Sequence, residues 1–171
     1  MVGSSKIKIS GSLQMMEATE SFFISPPERF KGEMLNKSRA LSADVNAAYN
    51  PLFPENFDAR NGARLGNGVA LTPYTGSGGK YSTSEAPIEE TERIERVLDR
   101  EGVAYQTGIL GSVDGGGGGT IAKYAAQLQN GAPDVVDAGP ALWSMHSPAS
   151  EIMHVYDLYS TEKAMEAYFR E

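Results

Sequence analysis

The apolar positions of this chain change between helical and extended spacing, which predicts an α/β fold. Amphipathic helices are predicted near 88–100, from Ile121 to a stop at Gly131, and near 157–170. Short apolar or alternating runs predict strands over 39–43, 68–71, 103–110 and 134–137. Strands and helices in this order favour a mainly parallel or mixed sheet flanked by helices. No repeat or linker interrupts the pattern, so a single domain over 1–171 is expected.

The segments between these elements are less regular. Residues 11–24 predict a further helix of moderate amphipathicity, and 25–37 form a polar connection with two prolines. Residues 45–66, rich in Asn, Pro and Gly, are predicted to be irregular. The run TGSGGKYSTSEA at 75–86 is predicted to be a turn-rich loop.

The number and spacing of the charged residues bear on whether the protein binds nucleic acid. The chain has 15 Lys and Arg against 22 Asp and Glu, a formal charge of −7. Glu89 and Arg93, and likewise Glu92 and Arg96, stand four residues apart and predict a solvated helix face that also carries Glu90. Nucleic-acid binding needs clustered cations, and here the cations are scattered, so this class of partner is excluded.

Composition also indicates a cytoplasmic protein. The chain has no cysteine and therefore no disulfide framework and no thiolate metal site. No apolar run approaches the roughly 20 residues that a membrane span requires. The first residues, MVGSSKIKIS, lack the apolar stretch of a signal peptide. We therefore expect a cytoplasmic location and no membrane partner.

Five consecutive glycines at 115–119, in VDGGGGGTIAKY, precede the helix predicted from Ile121. Such a turn exposes backbone N–H groups that bind an anion or a substrate backbone. The run fits neither the Walker A pattern nor G-x-G-x-x-G, because Thr120 occupies the last place of the latter. The loop that contains Lys80 fails the Walker A pattern as well, because Tyr81 follows the lysine. A flexible surface loop is the alternative interpretation.

Two residues elsewhere have side chains suited to a divalent metal. His146, in DAGPALWSMHSP, follows an apolar run, and a neutral imidazole is a good zinc ligand. Asp44, in ALSADVNAAYNP, follows a predicted buried strand, which is a usual place for a functional carboxylate in an α/β protein. Taken singly, each has an ordinary alternative: a packed histidine, or an aspartate that caps a turn or helix. His154 is predicted to be a surface residue, and no Ser-His-Asp triad is present.

In this order, ALSADVNAAYNP, the GGK-Y element, VDGGGGGTIAKY and DAGPALWSMHSP resemble the aspartyl aminopeptidase and aminopeptidase I family of metallopeptidases, from about residue 39 onward. The resemblance implies part of a zinc-exopeptidase-like catalytic domain, in an enzyme that removes N-terminal amino acids from peptides with a metal-activated water. It implies two divalent metal ions, zinc or else cobalt or manganese, with Asp44 a ligand of the first and His146 of the second. It also implies a homo-oligomeric complete enzyme. The residues that it implies for substrate binding are Gly116, Gly117, Gly118, Gly119 and Lys80.

The same resemblance predicts that other parts of the site are missing. The family's remaining ligands and its general-base glutamate are expected upstream of Met1, so no catalytic residue is assigned here and no hydrolysis by this chain alone is expected. Gly115 replaces an acid of the family pattern, and Glu151 lies one position later than expected. The alternatives are a non-catalytic module that docks on a complete aminopeptidase subunit and a nucleotide-binding domain built on the glycine run.

Overall fold

The computed structural model describes residues 33–77, 81–112, 119–128 and 132–171. The helix predicted over 11–24 and most of the connection over 25–37 lie outside these ranges. No helix within them is both long and apolar enough to cross a membrane. The elements in chain order are β1 (Arg39–Ser42), β2 (Asn46–Ala47), a 3-10 turn (Pro54–Asn56), β3 (Val69–Thr72), β4 (Tyr74–Ser77), β5 (Tyr81–Glu85), α1 (Ile88–Glu101), β6 (Tyr105–Thr107), α2 (Ile121–Ala126), β7 (Asp134–Gly139), β8 (Ala141–Trp143), β9 (Ile152–Met153) and α3 (Val155–Arg170).

The central sheet is mixed and has the strand order β1-β7-β3-β6. Strand β1 runs parallel to β7, β3 runs parallel to β6, and the middle pair β7 and β3 is antiparallel. The register places Ser42 of β1 and Thr72 of β3 on either side of Asp137 in β7. This arrangement, with helices against the sheet, confirms the predicted α/β fold class.

The main core lies between the sheet and helices α1 and α3. Side chains alternate between the two faces of a strand, so every second residue of β3 and β7 points to these helices. The cluster is formed by Val69, Leu71, Ile94, Val97, Leu98, Val136, Ala138, Ala164 and Ala167. The intervening residues of β7 therefore face the other side, where α2 packs against the same strand.

A second, smaller sheet continues the first at the ends of β1 and β7. Here β2 pairs with β8 in parallel, and β8 pairs with β9 antiparallel. Between the two sheets the chain passes very close to itself: a Cβ added to Gly139, at the end of β7, would overlap the carbonyl oxygen of Asp44. Glycine at 139 is what lets the backbone after β1 approach the end of β7.

Two predictions about local structure are wrong. The described residues on either side of 78–80 are not a loop, because β4 and β5 pair as antiparallel strands in which the Thr75 and Ser84 hydroxyls hydrogen-bond at 2.7 Å. The helix from Ile121 ends at Ala126 rather than near Gly131. Its predicted apolar stripe is largely exposed, and the small Ala122 is the buried residue of this helix instead.

The charged face of α1 is also only partly as predicted. Glu92 and Arg96 form the expected exposed ion pair, with Nη1 and Oε1 2.8 Å apart. Arg93, however, bonds Glu90 rather than Glu89, and Glu90 is buried with 3% of its side chain exposed. The predicted solvation of Glu90 is therefore wrong, because this residue faces β1, where Arg39 also lies within 3.1 Å of its carboxylate.

Candidate metal and substrate site

A cavity of about 370 Å³ opens near the ends of β1 and β8. Asp44 lies on its wall two residues after β1, and His146 lies on it three residues after β8. Gly119 and Thr120, which lead into α2, form another part of the wall. The structure thus brings both predicted metal ligands to one cavity with the last glycine of the run. The other lining residues are Val45, Ala47, Asn56, Phe57, Leu110, Gly111 and Met145.

The Asp44 carboxylate is held by two backbone donors. Its Oδ1 accepts the N–H of Val45 at 2.9 Å, and its Oδ2 accepts the N–H of Ile121 at 3.0 Å. The second bond joins Asp44 to the first residue of α2, so the alternative role of a capping aspartate is present. Each carboxylate oxygen has two lone-pair sites, so both oxygens keep an acceptor position for a metal ion.

His146 stands in an unusual backbone conformation. Its φ is 68°, and Ser144 two residues earlier has φ 55°, both in the left-handed region that non-glycine residues rarely adopt. Such residues cost roughly 1–3 kcal/mol each and tend to cluster at active sites and ligand clamps. The side chain is exposed and makes no hydrogen bond or ion pair with any residue in the described ranges. No described residue therefore occupies either ring nitrogen.

The donor set fits a divalent metal in kind but not in number. Imidazole and carboxylate are both ligands of zinc, which usually takes four ligands in proteins. Among the described residues, no group of three or more His, Cys, Asp or Glu side chains is placed to hold a metal ion. Asp44 and His146 therefore fit as two members of a larger ligand set.

Other predicted site residues are placed as follows. Lys80 and the glycines at 116–118 lie outside the described residues. His154 is exposed, as predicted, and its Nδ1 accepts the N–H of Tyr156 at 3.2 Å, which makes it the N-cap of α3. Ser147 bonds Ser150 through their hydroxyl groups at 2.7 Å.

Sequence reasoning missed a buried acid that bonds Thr120 on the cavity wall. Asp137 of β7 is 1% exposed, and its Oδ2 accepts a hydrogen bond from the hydroxyl of Thr120. Burial raises the pKa of the Asp137 carboxyl, and the nearby charge of Asp44 acts in the same direction. The signal was available in the sequence, because an acid between the apolar Val136 and Ala138 is unexpected in a buried strand.

This raised pKa makes stability depend on pH. A carboxyl whose pKa is higher in the folded state stabilises the fold fully below its unfolded pKa, and this contribution is lost as pH rises through the folded value. We therefore expect Asp137→Asn, which cannot ionise, to gain stability relative to the wild type between pH 4 and pH 7. Urea unfolding at several pH values measures this difference, with exposed Asp134→Asn as the control for loss of one charge. A constant difference between wild type and Asp137→Asn would contradict it.

Comparison with known families agrees with the geometry. The model of the family described as aminopeptidase I zinc metalloprotease (M18) matches residues 10–169. A probable M18 family aminopeptidase 1 of Thermotoga maritima is 45% identical over 149 residues, which covers 87% of this chain and 31% of that protein. The protein with the same description from Borrelia garinii is 42% identical over 134 residues, which covers 78% of this chain and 28% of that protein. The chain thus spans about 30% of the length of these curated relatives.

Solved structures show the same likeness. The crystal structure of aminopeptidase I from Clostridium acetobutylicum superposes with a TM-score of 0.72 at 42% identity, over 80% of this chain and 29% of that one. The M18 family aminopeptidase from Thermotoga maritima gives a TM-score of 0.71 at 47% identity, over 79% of this chain and 29% of that one. The sheet and helices described above therefore occur as part of these larger structures.

Proposed function

This chain belongs to the M18 family of zinc metalloproteases, and from that membership we propose that it supplies Asp44, His146 and the glycine run to an aminopeptidase active site. The supporting observation is that these two side chains, far apart in sequence, line one cavity together with Gly119. The proposed reaction is removal of N-terminal amino acids from peptides. The chain is proposed to be one domain, a portion of the catalytic domain of that enzyme.

Within this proposal, Asp44 and His146 hold zinc. The hydrogen bonds from Val45 and Ile121 fix the Asp44 carboxylate while leaving an acceptor position on each oxygen. The His146 imidazole has no competing partner among the described residues. When bound, the metal lowers the pKa of a water molecule and polarises the scissile carbonyl. Two ions are proposed, one for each of these ligands, with cobalt or manganese as substitutes that the same donors accept.

The glycine run and Lys80 are proposed to bind the peptide. Gly119 lies on the cavity wall next to Thr120, so backbone groups at the end of the run are beside the proposed metal ligands. Backbone N–H groups in such a loop bind carbonyl or carboxylate oxygens of a substrate without a side chain in the way. The glycines at 116–118 precede this point directly in the chain.

For the chain by itself, the second candidate function is a non-catalytic module that docks on a complete subunit. It is favoured by the lack of a third metal-binding side chain near Asp44 and His146 within the described ranges. The exposed Ile121 and Tyr124 on α2 add apolar surface for such docking. The complete enzyme is proposed to be a cytoplasmic homo-oligomer, a location compatible with a chain that lacks cysteine.

Zinc binding by the isolated chain tests the proposed site. We expect a titration followed by NMR to shift the ring signals of His146 and the amide signals next to Asp44. Either His146→Ala or Asp44→Ala should weaken this binding by more than about tenfold, because each removes a ligand outright. His154→Ala is the matched control, since it removes the other histidine without touching the cavity wall.

The opposite effects of these substitutions on zinc binding would contradict the proposed metal site. Zinc binding that survives in His146→Ala and disappears in His154→Ala would place the metal elsewhere. A parallel assay with an aminoacyl chromogenic substrate and zinc is expected to give no turnover by this chain alone. Turnover that is lost in Asp44→Ala would show instead that the chain holds a complete active site.

A further inference from the structure

Two consecutive residues at the exit of the glycine run are each held by a carboxylate. The Thr120 hydroxyl donates to Oδ2 of Asp137, and the Ile121 N–H donates to Oδ2 of Asp44 at 3.0 Å. Asp137 belongs to β7 and Asp44 follows β1, and these two strands are parallel neighbours in the central sheet. The end of the run is therefore tied to the sheet at two adjacent points.

A buried aspartate at position 137 lowers the stability of the fold. Its neighbours along β7 are the buried Val135, Val136 and Ala138, and its Oδ1 has no hydrogen-bond partner among the described residues. A buried carboxylate with an unsatisfied oxygen stabilises a fold less than an apolar residue of similar volume. Its hydrogen-bond partner Thr120 lines the cavity, which indicates that Asp137 serves the site instead.

We propose that Asp137 is a positioning residue for the metal ligand Asp44, acting through Thr120. The inference rests on the proposed function of Asp44 and His146. Thr120 is 3% exposed and extended, with φ −103° and ψ 177°, and its backbone sets the direction of the next N–H group. By holding the Thr120 side chain, Asp137 keeps the Ile121 N–H on Oδ2 of Asp44.

Without this bond, the Asp44 carboxylate keeps, within the described part of the chain, the N–H of Val45, its own neighbour in the sequence. The close approach of Gly139 fixes the backbone of Asp44 but leaves its carboxylate free to rotate. Residues that orient a metal ligand through a hydrogen bond typically change metal affinity by 10–100-fold when they are replaced. The same order of effect is expected here.

The first arm of the test is independent of metal. Millisecond amide exchange of Ile121, measured by NMR in the metal-free chain, reports directly on the bond to Asp44. Thr120→Val, which keeps the shape but removes the hydroxyl, should speed this exchange by about tenfold, because the bond opens locally more often. Thr120→Ser, which keeps the hydroxyl, should exchange like the wild type.

The second arm follows zinc affinity at the amide signals next to Asp44 in the same variants. Thr120→Val should weaken zinc binding by about tenfold or more, and Thr120→Ser should restore it. Thr161→Val is the matched control, because Thr161 is a buried threonine of α3 whose hydroxyl donates to the Asp157 carbonyl at 2.8 Å. It should lower the melting temperature without changing either the exchange of Ile121 or the zinc affinity.

Two Asp137 variants keep the test decisive if Thr120→Val does not fold. Asp137→Asn retains an acceptor for Thr120 and should leave Ile121 exchange unchanged, whereas Asp137→Leu should reproduce the fast exchange. Unchanged Ile121 exchange in Thr120→Val or in Asp137→Leu would overturn the proposal. If the wild-type chain shows no zinc binding next to Asp44, the proposed metal function of Asp44 fails, while the exchange arm still decides whether Asp137 positions Asp44.

Discussion

Gly139→Ala is expected to lower the free energy of unfolding by more than most substitutions that add a single methyl group. The added Cβ overlaps the carbonyl oxygen of Asp44, which is backbone and has no flexible end to move aside. Gly139 is also the last residue of β7 and is paired with Ala70 of β3, so the strand itself has little freedom to shift. Overpacking of this kind costs about 3 kcal/mol. We expect a loss of that order in urea unfolding.

The same substitution should also weaken zinc binding by more than about tenfold, because the backbone that carries Asp44 has to move. Gly102→Ala is the control. Nothing lies within 4 Å of a Cβ at Gly102, and its φ of 66° alone makes alanine unfavourable there, by about 1–2 kcal/mol. If Gly139→Ala lost no more stability than Gly102→Ala and bound zinc like the wild type, the close approach would not be what places Asp44.

The parts of the fold that could be predicted from sequence are those in which burial and pattern coincide. Strands β3 and β7 are rich in buried apolar residues, and both lie in the middle of the central sheet. Helix α1 has its apolar residues on one face, and Ile94, Val97 and Leu98 are all buried there. In these segments the residues that the hydrophobic spacing places on one face are the residues that pack in the core.

The elements that were predicted wrongly are those whose hydrophobic pattern does not match the burial of their residues. The strand pair of β4 and β5 is built from polar residues and is held by backbone pairing, so its composition resembles that of a loop. In α2 the spacing of Ile121 and Tyr124 shows that they share a face, but it does not show whether that face is covered. Both are more than 60% exposed against the described part of the chain.

The candidate site, too, could be predicted only in part. Asp44 and His146 could be proposed from short motifs, because a carboxylate after a strand and an imidazole in a turn are recognisable locally. That Thr120 bonds Asp137 could not be proposed, because it depends on how α2 packs on the face of β7 opposite the main core. Sequence spacing does not show which hydroxyl hydrogen-bonds to which buried acid.

Glu90→Gln is expected to cost about 3 kcal/mol, as is typical when one partner of a buried ion pair is removed. The Glu90 carboxylate accepts from Nε and Nη2 of Arg93 at 2.9 and 2.6 Å, and Nε of Arg39 on β1 lies 3.1 Å away. The Arg93 guanidinium in turn lies 5.2 Å from the ring centre of Tyr168 in α3. Neutralising Glu90 therefore loosens the contact of α1 with both β1 and α3, and leaves Arg93 without its counter-charge.

Glu92→Gln on the same helix is the matched control. Its partner Arg96 lies at a similar distance, 2.8 Å, but the two side chains are 65% and 61% exposed, so the pair contributes less than about 0.5 kcal/mol. Urea unfolding at low and at high salt should separate the two variants. Salt screens the exposed pair and removes the small effect of Glu92→Gln, whereas the loss in Glu90→Gln should persist because the buried carboxylate is shielded from ions. Equal losses in the two variants would show that burial of Glu90 does not add to the strength of its ion pair.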